Sequence, residues 1–128
     1  MIPAALISFF YHEEKPFFAF LAAIILMLAI GIPATVKQPE NKLIYMKEGL
    51  CIAALSWILI SVFGALPFFF SRVIPSFLDC LFETVSGFTT TGASILNEVE
   101  SLPRGILFWR SFTHWIGGMG VLVFLLAV

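Results

Sequence analysis

Residues 82–94 read FETVSGFTTTGAS, and the reading of this stretch decides the fold. A short apolar helix spanning 76–88 runs into three consecutive threonines, a glycine and two small residues. About a dozen helical residues reach roughly 20 Å at 1.5 Å per residue, well short of the ~30 Å of hydrocarbon in a bilayer. Flanked by apolar segments long enough to cross, this segment reads as a re-entrant helix that dips part-way into a membrane and leaves through the threonine run.

Threonine and glycine in this order suit one chemistry. A dehydrated monovalent cation needs a ring of oxygens, and backbone carbonyls supply it only when successive peptides turn the same face to one axis. Gly92 permits the positive φ such a turn needs, and threonine adds a hydroxyl without bulk. The potassium-channel filter TVGYG follows the same logic, and Thr90, Thr91, Gly92, Ala93 and Ser94 lie over it with the first glycine in register. The second glycine is missing, which points to a shorter and less discriminating filter. The C-terminal end of the helix faces the threonine run, so its partial negative charge favours a cation there. The alternative use of such a run is an ordinary loop or helix cap.

Composition agrees with a membrane setting. Of the 128 residues, 60% are hydrophobic, against about half in soluble domains. The length leaves room for roughly three or four spanning segments and no separate soluble domain. A net charge of −1 without a basic run or stripe excludes a nucleic-acid partner. Cys51 and Cys80 are too few for a disulfide framework or zinc site and read as small apolar residues. No metal-ligand spacing or nucleophile–base pair supports an enzyme, and no organic cofactor is expected. The N-terminus has neither the basic region nor the cleavage site of a secretory signal; residues 2–11 read instead as the second half of a spanning helix.

Taken in order, His12, Glu13, Glu14, Lys15 and Pro16 form a polar break, with Pro16 as the opening residue of the next helix. Residues 17–36 carry no charge and form a span, with Gly31 and Pro33 near its end, where either bends the last turn or helps to terminate the helix. The loop 37–48, KQPENKLIYMKE, holds three lysines and is placed on the cytoplasmic side. Residues 49–70 form the next span, with Pro67 and three phenylalanines near its outer end; Ser71, Arg72 and Pro75 then turn the chain toward the pore helix. The threonine run accordingly lies in the outer half of the membrane. The expected organisation is residues 1–48 as leading helices and cytoplasmic loop, then 49–128 as one membrane-pore-membrane repeat: span 49–70, pore helix 76–88, filter 89–94, span 105–128.

Charges inside this frame are candidates for function, because an intramembrane carboxylate is costly unless paired or wet. Asp79 solvates the start of the pore helix, where negative charge also suits the helix dipole. Glu83, one turn deeper, either braces the filter backbone or touches the ion. Asn97, Glu98 and Glu100 form an acidic vestibule or an ordinary solvated loop. In the last helix Gly117, Gly118 and Gly120 permit close packing, and Trp109 and Trp115 read as an interfacial belt. Arg110 either snorkels to the outer surface or supports the filter by tuning its potential.

The pore segment followed by SLPRGILFWRSFTHWIGGMG at 101–120, with GALPF at 64–68 before it, resembles the first pore repeat of the Trk-type potassium uptake proteins of the Trk/Ktr/HKT superfamily. That resemblance implies an all-α membrane protein that transports K+ across a bacterial or archaeal cytoplasmic (inner) membrane. It implies four non-identical repeats of one polypeptide around a single pore, a homodimer in membrane lipid, and a cytosolic nucleotide-binding regulatory subunit. It also implies a filter lined by Thr90, Thr91, Gly92 and Ala93, flanked by Thr89, with K+ held at Thr90, Thr91 and Gly92. The family's gating loop belongs to the third repeat and has no counterpart here. One repeat is a quarter of such a pore, so the chain is expected to be a fragment; the alternative is a homotetrameric, potassium-channel-like subunit.

Overall fold

Backbone groups in hydrocarbon must find their hydrogen bonds within their own segment, so long apolar runs become helices. The computed structural model describes residues 1–36 and 46–127, and these form five helices and no strand. They are α1 (Ile2–Phe10), α2 (Glu14–Val36), α3 (Met46–Phe70), α4 (Phe77–Phe88) and α5 (Arg104–Ala127). Glu14–Pro33 and Lys47–Phe70 are long and apolar enough to cross a membrane. Side chains such as Ile25, Leu55 and Ile58 are more than half exposed along them, a surface suited to lipid rather than to water. The chain is an all-α membrane protein.

The elements lie close to their expected places, with physical reasons for the shifts. Pro16 does not open α2; the helix begins two residues earlier, at Glu14, and the Phe17 amide makes the first bond, to the Glu13 carbonyl at 3.1 Å. Proline fits there because the first-turn amides have no intrahelical acceptor. α2 ends at Val36 as expected, with Pro33 in its last turn, and Pro67 lies within α3. Most of the lysine loop, residues 37–45, lies outside the described residues; Lys47 and Glu48 belong to the first turn of α3.

Each helix packs on its sequence neighbour, and α5 also returns to lie against α1. All five contribute to one buried cluster of Ala4, Phe20, Ala65, Phe68, Ile74, Cys80, Ile106 and Trp109. Trp109 is therefore not part of an interfacial belt: it is 4% exposed, and its indole Nε1 donates to the Gly64 carbonyl at 3.0 Å. Trp115, 59% exposed, does face outward. Of the cysteines, Cys80 is buried as expected and Cys51 is exposed on the outer face of α3.

Candidate functional site

The site begins with α4, whose Cys80, Glu83, Thr84, Ser86, Gly87 and Phe88 are buried. Two glycines bring α5 onto its last turn. A side chain at Gly87 would collide with the Thr113 hydroxyl, and one at Gly117 with the carbonyl of Phe88, whose carbon would lie 2.7 Å away. The end of α4 is thereby fixed against a full-length helix.

How α4 ends gives the following loop its shape. The Thr91 amide donates to the Ser86 carbonyl and the Thr90 amide to the Gly87 carbonyl, both at 3.0 Å. This pair of bonds is a Schellman cap, in which the residue after the cap turns left-handed. Here that residue is Thr90, at φ 55°, where glycine is usual. A β-branched residue in this region is strained, by about 1–2 kcal/mol. Two residues on, Gly92 is also left-handed at φ 78°. The threonine run is thus both a helix cap and the start of a loop with alternating backbone sense.

Hydrogen bonding divides the carbonyls of this loop into two groups. The Thr90 hydroxyl donates to the Thr89 carbonyl at 2.7 Å, and the Ser86 hydroxyl donates to that of Ala93 at 2.6 Å. Among the described residues, none donates to the carbonyls of Thr90, Thr91 or Gly92. The Thr89 and Thr91 hydroxyls lie 2.8 Å apart. All five residues from Thr89 to Ala93 are exposed, so one side of the loop is open.

The returning limb is held by Glu83. This carboxylate is 3% exposed, yet it accepts from the Ser94 hydroxyl at 3.0 and 3.1 Å, the Ile95 amide at 3.3 Å and Arg110 Nε at 2.6 Å. The Ser94 oxygen in turn accepts from the Leu96 amide at 3.1 Å. Of the two roles left open for Glu83, the geometry is that of a brace on the loop backbone. Arg110 does not snorkel; its side chain is 21% exposed and turned onto Glu83. A carboxylate and a guanidinium in apolar segments each need a partner, a signal in the sequence that could have joined them. Ser86 and Ser94 were not singled out as supports, since a serine's partner cannot be read without the fold. Asp79 is exposed in the first turn of α4, and Asn97, Glu98 and Glu100 are exposed in the following loop. Among the described residues no cluster of His, Cys, Asp and Glu could hold a metal ion.

The family model described as TrkH, cation transport protein, matches residues 16–128. This chain belongs to the TrkH family. The matched region holds α2 to α5, and with them every residue of the TrkH-family loop and its brace. Among curated relatives, the chain is 40% identical to the Trk system potassium uptake protein TrkG of Escherichia coli K12, over 100% of this chain and 27% of that protein. It is 38% identical to the Trk system potassium uptake protein TrkH of the same organism, with the same coverage. An uncharacterized cation transporter of Methanocaldococcus jannaschii is 37% identical over 88% of this chain and 24% of that protein. The chain thus spans about a quarter of the length of the curated relatives it matches. No solved structure matches it. Membership in a family of transport proteins accords with the expectation that the TrkH-family chain is not an enzyme.

Proposed function

We propose that this chain supplies the first of four pore repeats in a Trk-type potassium uptake protein of the cytoplasmic membrane. In this reading α3, the re-entrant α4 and α5 form one membrane-pore-membrane unit, and the exposed limb from Thr89 to Ala93 is one quarter of a selectivity filter. The observation that carries it is the loop after α4: left-handed Thr90 and Gly92 flank Thr91, and the three carbonyls of these residues have no hydrogen-bond donor among the described residues. Oxygens in that condition can replace part of the water around potassium, the transported substrate. The C-terminal end of α4 adds its partial negative charge at the same point. Glu83 and Arg110 hold the loop from behind rather than meeting the ion. The Ala93 carbonyl, already engaged by Ser86, contributes less than Thr90, Thr91 and Gly92.

The remaining repeats of the polypeptide complete the ring, and a homodimer with a cytosolic nucleotide-binding subunit is the working assembly. The experiment is Gly92→Val in the complete transporter, read as the potassium-to-sodium permeability ratio. At φ 78° a β-branched residue does not fit, so the ratio is expected to collapse while the protein still reaches the membrane. An unchanged ratio overturns the assignment of this loop as the filter.

A further inference from the structure

Glu13 lies in the polar turn between α1 and α2, remote in sequence from the pore loop, and its carboxylate spans to another helix. Oε1 accepts from the Arg104 amide at 2.8 Å and Oε2 from the Gly105 amide at 3.1 Å. These are the first two residues of α5, so Glu13 caps that helix from a different part of the chain. Helix N-termini present amides without intrahelical acceptors and a partial positive charge, and one carboxylate satisfies both.

The turn that holds Glu13 is itself tightly set. Its amide donates to the Ser8 carbonyl at 2.9 Å and the His12 amide to that of Phe9 at 3.1 Å, with His12 left-handed at φ 54°. α1 ends in the same cap geometry as α4, again without glycine. The fit continues below it, where Gly105 meets Ser8 so closely that any side chain at Gly105 would strike the Ser8 hydroxyl. The Arg104 side chain turns away from the carboxylate and lies over the Tyr11 ring, 4.6 Å from its centroid. The carboxylate thus bonds the backbone of α5 and not its first charged side chain.

What α5 carries makes this anchor consequential. Arg110 and Gly117 sit further along the same helix, the first paired with Glu83 at 2.6 Å and the second pressed on the Phe88 carbonyl at the start of the loop. A shift of α5 along its axis moves both contacts at once. We infer that Glu13 is a positioning residue for the pore loop: by capping α5 it fixes the height of Arg110 and Gly117, and through them the spacing of the carbonyls at Thr90, Thr91 and Gly92. This rests on the filter reading of that loop.

The test uses the complete transporter in its membrane, with the potassium-to-sodium permeability ratio and the amount of protein in the membrane measured together. For Glu13→Gln, which loses the charge and one of two acceptors, the ratio is expected to fall roughly twofold to tenfold with the protein amount little changed. A second pair approaches from the donor side. Arg104→Pro removes the amide that Oε1 accepts at a helix position where proline is well tolerated, while Arg104→Ala keeps it. Arg104→Pro is expected to lower the ratio and Arg104→Ala to leave it alone. Uptake that falls only in proportion to protein amount, or equal ratios for the two Arg104 variants, overturns the inference. Failure of Glu13→Gln and Arg104→Pro beside a collapsed ratio in Gly92→Val removes this role and leaves the filter standing; an unchanged ratio in Gly92→Val removes the filter itself.

Discussion

A buried carboxylate with three donors around it is a different object from an acid that happens to lie near a pore. Glu83 is nearly all out of solvent, and its charge is balanced by Arg110 and by hydrogen bonds from Ser94 and Ile95. Removing one partner leaves the other buried and uncompensated, which costs about 3–5 kcal/mol in comparable pairs. Glu83→Gln is therefore expected to lower the thermal midpoint of the purified transporter clearly, and the double variant with Arg110→Gln to be less damaged than the sum of the two singles. A double-variant cycle on the melting curve checks both. Thr90 makes the opposite case. Its left-handed backbone is strained, so Thr90→Gly is expected to stabilise the α4 cap by about 1 kcal/mol. It also removes the hydroxyl on the Thr89 carbonyl, and the expected combination is a higher midpoint with a lower potassium-to-sodium ratio. At this scale the sequence was legible where chemistry is local: the positive φ at Gly92 follows from the residue type. The left-handed Thr90 and the serine partners of the loop were not, because tertiary packing and bonds across seven or eleven positions set them.

Between elements, close approach is decided by single missing methyls. Gly117 and Gly118 are adjacent in the same glycine cluster and look equivalent in sequence, yet they face different surroundings. A methyl on Gly117 would meet backbone atoms of Phe88 that cannot give way, whereas one on Gly118 would sit 3.9 Å from Thr90 Cγ2, an ordinary contact. Gly117→Ala is expected to abolish a stable α4–α5 interface and sharply reduce the amount of folded transporter; Gly118→Ala is expected to be tolerated. Membrane expression with fluorescence-detected size exclusion separates the two outcomes. The boundaries of α4 were legible within one residue because an apolar run between Pro75 and the threonines admits little else. Which of the clustered glycines bears the contact was not, since it depends on the rotation of α5 about its own axis. Pro16 was misplaced by less than a turn for a related reason: proline marks where a helix cannot hydrogen-bond, and the first turn offers several such positions.

For the molecule as a whole, the question is which end of the bundle faces which side. The turn at 12–16, the turn after α3 and the start of α5 share one end: a single crevice is lined by His12, Glu13, Lys15, Ser71, Leu102 and Arg104. The loop that follows Gly92 leads into that end. Lys47 lies at the opposite end of α3, a helix of 25 residues and about 37 Å at 1.5 Å per residue. These groups are opposed in the structure, and on the lysine content of 37–48 the end that carries Lys47 is expected to face the cytoplasm. A thiol-reactive reagent that cannot cross membranes tests this in the complete transporter with all its native cysteines replaced, Cys51→Ser and Cys80→Ala among them. The Glu98→Cys variant is expected to be labelled in intact cells and the Lys47→Cys variant only after permeabilisation. The reverse pattern would put the proposed pore loop on the cytoplasmic side, where it could not collect potassium for the proposed uptake.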